Sequence, residues 1–142
     1  MRKGFTLIEI VIAIGILAAL GGMGLLVAIE QYRTYALEAD LGTAVSLIQR
    51  ARTRAMANIG ESEHGFYTDG INYVLFRGPS YANRDPDYDE EIPVAVVVNI
   101  SGTQEFVFSE LEGIATPAGD LTLDNNKRSR TISVNDEGRI SW

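Results

Sequence analysis

Apolar residues run almost without interruption from Phe5 to Ile29, and Glu9 is the only charged residue among them. A helix of this length spans about 37 Å, more than the roughly 30 Å of a bilayer's hydrocarbon core. Arg2 and Lys3 precede it, a bias that predicts a cytoplasmic N-terminus and an exported C-terminal part. The pattern therefore predicts a single transmembrane helix over residues 5–29. A secretory signal peptide is the competing interpretation, but it would have a shorter apolar core.

A helical period follows the apolar segment. Seven residues recur at 3.6-residue spacing and would form one apolar face: Leu37, Leu41, Ala44, Val45, Ile48, Ala51 and Ala55. We expect Asp40, Gln49, Arg50 and Arg54 on other faces. The three residues Arg50, Arg52 and Arg54 would form a solvated, salt-bridged end, and the alternative is that these arginines bind a ligand. Asn58 and Gly60 are typical of a helix end. Residues 30–60 are therefore predicted to be the amphipathic half of one long helix, from about Phe5 to Asn58.

Beyond residue 60 the apolar pattern has the period of two that is typical of strands. The candidate strands are Gly65–Thr68, Asn72–Phe76, Val94–Asn99, Glu105–Ser109, Asp120–Leu123, Arg130–Val134 and Arg139–Trp142. Turn-forming pairs such as Asp69-Gly70 and Glu137-Gly138 separate them. The fold class predicted is α+β. A long N-terminal helix would pack its amphipathic half on an antiparallel sheet or small β-sandwich head at residues 61–142.

Composition removes several functions. The 142 residues have a net charge of −7, no cysteine and one histidine. Disulfides, thiol catalysis and cysteine–zinc sites are therefore excluded. His64 has no plausible nucleophile arrangement around it in the sequence, and phosphate-binding glycine motifs are absent. We expect neither an enzyme nor a bound cofactor.

Glu9 is the unusual residue of the apolar segment. A carboxylate at the middle of a membrane costs at least about 2.5 kcal/mol, so it is expected to be functional and to have a partner. The alternative is that Glu9 lies near the interface and reaches water. Cleavage between Gly4 and Phe5 would create a free α-amine one helical turn away. The amine and the carboxylate could then neutralise each other, within one chain or between neighbouring chains.

The segment Gly4-Phe5-Thr6-Leu7-Ile8-Glu9, after a short basic leader, resembles the prepilin cleavage and methylation motif of type IV pilins and type II secretion pseudopilins. The resemblance implies that residues 1–4 are a leader, removed after Gly4 by a prepilin peptidase. Phe5 would then be N-methylated, and Glu9 would help to dock the subunit into a filament. It also implies other pilin or pseudopilin subunits and an inner-membrane assembly platform as partners. The protein would wait in the inner membrane before entering a pilus or pseudopilus.

A weaker resemblance covers the rest of the chain. The segments Leu47–Ala57, Gly65–Tyr67, Asn72–Gly78, Thr131–Val134 and Gly138–Ile140 are similar to the minor pilins and pseudopilins typified by type II secretion protein H and the fimbrial T protein. This implies a structural subunit. The choice between a type IV pilus, a secretion pseudopilus and a competence pseudopilus stays open, and so does an uncleaved membrane anchor.

Asp85, Asp87 and Asp89 lie in the densest acidic run and have the spacing that opens an EF-hand loop. Glu90 stands where the EF-hand requires glycine, and Val96 stands where it requires the closing glutamate. The EF-hand is therefore excluded. A looser calcium site at the three aspartates is one interpretation, and a solvated loop is the other.

Lys127, Arg128, Arg130 and Arg139 are the basic residues of the outer domain that could contact phosphates. They define the alternative function, a DNA- or ligand-binding minor pilin of a DNA-uptake system. The acidic balance of the chain counts against it.

Overall fold

The structure is a computed structural model that describes residues 4–142, so Met1, Arg2 and Lys3 of the predicted leader lie outside the described residues. One α-helix, α1, covers Leu7–Met56 and begins and ends two residues inside the predicted range. Nine strands follow: β1 His64–Thr68, β2 Asn72–Arg77, β3 Glu90–Pro93, β4 Asn99–Gly102, β5 Glu105–Phe108, β6 Ala115–Thr116, β7 Gly119–Asp124, β8 Ser129–Val134 and β9 Ile140–Ser141. Two short 3₁₀ helices, Tyr81–Asn83 and Pro86–Tyr88, lie between β2 and β3. The predicted α+β class is confirmed.

The chain divides into two compact units, one ending at Arg33 and the other covering Thr34–Trp142. In the first unit, every side chain whose burial is described is exposed, although most of them are apolar. Within residues 4–142, α1 is the one helix that is long and apolar enough to cross a membrane. Its first part therefore has the composition of a spanning segment and needs an apolar environment that its own chain does not provide.

The second unit, called the head below, contains two antiparallel sheets. The strand order is β3-β2-β1-β5-β6 in one sheet and β4-β7-β8-β9 in the other. All seven residues of the predicted apolar face of α1 are buried, together with Leu47, which the prediction omitted. They share one core with apolar residues from both sheets, including Phe66, Phe106 and Leu121. The C-terminal part of α1 thus serves as the core helix of the head.

Six of the seven predicted strands are confirmed within two residues at each end, and Val94–Asn99 is wrong. Residues 94–98 connect β3 to β4 and contain a turn, with Val96 fully exposed. Strands β3 and β4 lie on either side of this connection. The sequence pattern did not predict β3, because its first two residues belong to the acidic run. The strand was predicted because β-branched residues favour strands. In the structure, however, the backbone amides of this segment form no strand pairing. The Val94 amide donates to the carbonyl of Ile71, and the Ala95 amide donates to a side chain.

That side chain is Asp40, which the prediction wrongly placed on a polar face of α1. Asp40 is only 8% exposed, and its carboxylate accepts the Ala95 amide at 2.9 Å. Burial raises the pKa of Asp40 above its usual range, although the Ala95 amide acts in the opposite direction. Burial also raises the pKa of the neighbouring Tyr73 hydroxyl, and the charge of Asp40 adds to this effect. Asp40 thus fixes the 94–98 connection to α1 at the cost of a buried charge.

Candidate functional site

The N-terminus of α1 is capped by its own side chains. Thr6 precedes the first helical residue, and its amide and hydroxyl both donate to one carboxylate oxygen of Glu9, at 2.8 and 2.9 Å. The Glu9 amide donates back to the Thr6 hydroxyl at 3.4 Å. This reciprocal arrangement is a capping box, formed by a threonine and a glutamate three residues apart. The Thr6-x-x-Glu9 spacing is the sequence signal of this capping box, which the predictions above did not include.

The capping box gives Glu9 a structural role inside its own chain. It uses amides that the first helical turn leaves without helical partners, and it places a negative charge near the positive end of the helix dipole. Both Thr6 donors bind Oε2, and among residues 4–142 Oε1 accepts no hydrogen bond. Glu9 is therefore oriented by the helix start and keeps one oxygen for another donor.

Gly4 and Phe5 precede α1 and belong to no helix or strand. Phe5 is 85% exposed. Among residues 6–142, no atom lies within 4 Å of a Cβ added at Gly4, and Gly4 does not have the left-handed backbone that favours glycine. The described part of the chain thus gives no reason for a glycine here, and it leaves the Gly4–Phe5 peptide bond open to another molecule.

Residues 1–29 match the family model described as the prokaryotic N-terminal methylation motif. No solved structure gives a significant match to the chain. The motif and the long helix followed by a β-rich head mark the chain as a type IV prepilin-like protein. Proteins with this motif are processed by a prepilin peptidase and assemble with other pilin subunits in a membrane system. The apolar N-terminal helix fits a single-pass membrane anchor.

The three aspartates of the acidic run do not converge on a common centre. Asp85 pairs with Arg77 and Asp89 pairs with Arg84, each at 2.7 Å, whereas the side chain of Asp87 is exposed. Asp85 also caps the 3₁₀ helix by accepting the Asp87 amide. Over residues 4–142, no group of three histidine, cysteine or acidic side chains is arranged to hold a metal ion. Calcium binding at these aspartates stays a prediction.

The four basic residues are divided between the two ends of β8. Lys127 and Arg128 lie in the turn between β7 and β8, and Arg130 is held by Glu38 of α1 at 2.7 Å. Arg139 lies beyond the opposite end, because the next residue, Ile140, pairs with Val134. The structure therefore does not bring the four together, and contact with DNA stays a prediction.

Proposed function

We propose that this protein is a minor pilin or pseudopilin of the group typified by type II secretion protein H and the fimbrial T protein. It is cut after Gly4, N-methylated on Phe5, and incorporated through α1 into a pilus or pseudopilus. The observation that carries the proposal is the N-terminal site. The exposed Gly4–Phe5 bond precedes a helix that is capped at its N-terminus. Glu9 is the only charged residue in the apolar segment of that helix.

The cleavage step is supported by the position of Gly4. A peptidase needs an extended, accessible peptide bond, and this bond lies before the first helical turn. Because no atom of residues 6–142 fills the space beside Gly4, the requirement for glycine is assigned to the enzyme's binding pocket.

Assembly is supported by the donors around Glu9. Cleavage replaces the Gly4–Phe5 amide with an ammonium group next to Thr6, close to the carboxylate that Thr6 already orients. The second carboxylate oxygen can accept from that ammonium or from the ammonium of a neighbouring subunit. Neutralisation removes the cost of a charge in an apolar environment, so it favours chains packed side by side over chains dispersed in lipid.

Orientation and location follow from the same proposal. The leader contains Arg2 and Lys3, so the N-terminus stays in the cytoplasm and the head is exported. The anchored subunit waits in the inner membrane until the assembly platform extracts it. The head is then displayed on the surface or at the tip of the fibre.

The cleavage step is tested by intact-mass analysis of the protein from its native host. Wild type should lack residues 1–4 and carry one methyl group on Phe5. Gly4→Ala should slow processing about tenfold or more, whereas Gly15→Ala should not, although at both positions an added Cβ would meet no described atom within 4 Å. A wild-type mass that still includes Met1, or normal processing of Gly4→Ala, would contradict the proposal.

Subunit counting tests the assignment as a minor subunit. In purified fibres, this chain should be much less abundant than the principal pilin, and quantitative mass spectrometry measures the ratio. A chain that formed most of the fibre would be a major pilin instead.

A further inference from the structure

The arginines near the end of α1 face two different sides of the head. Arg50 and Arg54 lie one turn apart, and both bind Glu90 of β3, at 2.6 and 2.5 Å. Arg52 lies about 200° around the helix from each of them. It donates instead to the backbone carbonyls of Gly113 and Glu137, both at 3.4 Å. The expectation of a salt-bridged end is therefore confirmed for Arg50 and Arg54 and is wrong for Arg52, whose partners are backbone oxygens.

Two glycines hold the Arg52 side chain in place. Gly113 and Gly138 have positive φ angles of +67° and +73°. A Cβ at Gly113 would lie 2.7 Å from Cγ of Met56 and 3.3 Å from Cγ of Arg52, and one at Gly138 would lie 2.9 Å from Nε of Arg52. The loops that contain Gly113 and Gly138 can therefore pack against the Arg52 side chain only because these two residues have no side chains. The guanidinium is positioned, yet within residues 4–142 it has no carboxylate partner.

Arg139 lines the same cleft as Arg52. The cleft has a volume of about 360 Å³, and its walls are Gln49, Arg52, Thr53, Met56, Arg139 and Ile140. Across the described chain, the Arg139 side chain also forms no ion pair. Two guanidinium groups beside apolar Met56 and Ile140 fit a carboxylate that is flanked by apolar residues.

Such carboxylates lie at an edge of the five-stranded sheet. β3 is an edge strand that contains Glu91, and Asp87 lies in the 3₁₀ helix just before it; both carboxylates are exposed. Neither forms an ion pair closer than 4 Å with any residue that the structure describes. Pro93 is exposed on the same face of β3 as Glu91 and supplies the apolar flank. The head thus has an acidic edge, Asp87–Pro93, on the Glu90 side of α1 and a basic cleft on the Arg52 side.

We propose that the basic cleft binds the acidic edge of a second copy of this chain. The two surfaces differ, so a pair of heads leaves one cleft and one edge free. This arrangement rests on the proposed assembly into a fibre. A nucleic acid is less suited to the cleft, because a phosphate backbone has no apolar group to place against Met56 and Ile140.

Disulfide cross-linking in membranes tests the contact, since the full chain has no cysteine of its own. Gln49→Cys is placed in one tagged copy and Pro93→Cys in a copy with a different tag. Both positions are exposed, one in the cleft and one at the edge. Oxidation should give a 49–93 linked pair. Asn126→Cys in place of Pro93→Cys is the control and should give about tenfold less or lower.

Charge reversal then tests the chemistry of the contact. Arg139→Glu in the cleft copy should lower the 49–93 product about tenfold, whereas Arg128→Glu, which makes the same charge change in the β7–β8 turn, should not. Asp87→Lys with Glu91→Lys in the edge copy should restore the product with Arg139→Glu. Because Arg139 is exposed, this variant spares the buried packing around Arg52.

Absence of the 49–93 product, or a 49–49 product alone, would overturn the proposed contact. DNA retention that Arg139→Glu abolishes, without a 49–93 product, would overturn it in favour of a nucleic-acid site. The N-terminal mass of the same sample separates this result from the proposed function. Cleaved chains without the cross-link reject the contact alone, and uncleaved chains that form it reject the processing step alone.

Discussion

The two parts of α1 place their apolar residues in opposite environments. Up to Arg33, the apolar side chains whose burial is described are exposed, whereas the apolar face from Leu37 to Ala55 is buried in the core of the head. The same secondary structure therefore serves two purposes. The later part obtains its stability from its own chain, and the earlier part must obtain it from lipid or from other subunits.

Truncating one leucine in each part should give the largest difference. Leu47→Ala should destabilise the head by about 2–5 kcal/mol, because Leu47 is 1% exposed and its removal leaves a cavity. Leu20→Ala removes the same atoms from a side chain that is 63% exposed, so the free energy of unfolding of the head should change by less than about 0.5 kcal/mol. Urea unfolding of the full chain in detergent, followed by circular dichroism, measures both. Equal changes in the free energy of unfolding for the two variants would contradict the proposed difference between the two parts of α1.

Glu9→Ala removes the capping box at the start of α1, and its main expected effect is on assembly. The protein should remain in the membrane, and its incorporation into fibres should fall about tenfold or more, because no carboxylate remains to neutralise the N-terminal amine. Glu61→Ala, an exposed glutamate after the end of α1, is the matched control and should leave incorporation unchanged. Immunoblotting of sheared fibres against membranes gives the ratio. Normal incorporation of Glu9→Ala would reject its role in assembly.

Asp40→Asn should stabilise the head at pH 7. Burial raises the pKa of Asp40 in the folded head, so the charged form is disfavoured there, and stability from this group is gained as the pH falls through the folded pKa. Asparagine keeps an oxygen for the Ala95 amide and carries no charge. The advantage of the variant in urea midpoint should therefore shrink as the pH is lowered from 7 toward the unfolded pKa. An advantage that grows with acidification would show that the charge stabilises the head.

Glu90→Gln should have the smallest effect and the opposite pH dependence. Partial burial acts to raise the pKa of Glu90, but Arg54 and Arg50 together lower it below its usual value. Its contribution is therefore present above the unfolded pKa and is lost as the pH falls through the folded pKa. Because the pair is partly exposed, the loss at pH 7 should be below about 1 kcal/mol and should decrease in high salt. Thermal unfolding at two salt concentrations measures it.

The confirmed predictions have a local cause. The apolar face of α1 repeats at the helical period, and β1 and β2 are separated by an Asp69-Gly70 turn whose aspartate accepts the amides of Ile71 and Asn72. The wrong ones depended on residues distant in sequence. The sequence of residues 94–98 is typical of a strand. In the structure, its Ala95 amide donates instead to Asp40, which lies 55 residues earlier. The positioning of Arg52 likewise required Gly113 and Gly138, which no local pattern connects to it.

By itself, the sequence determined the apolar anchor, the cleavage and methylation motif with Glu9, and the α+β class, because each depends on the order of residues over a few helical turns or strand lengths. Only the tertiary structure decided that Asp40 is buried, that Asp85 and Asp89 are paired with arginines, and that Arg52 and Arg139 share a cleft. The physical reason is that burial and charge pairing depend on which segments meet in space. That meeting is set by the packing of α1 against two sheets and cannot be read from neighbouring residues.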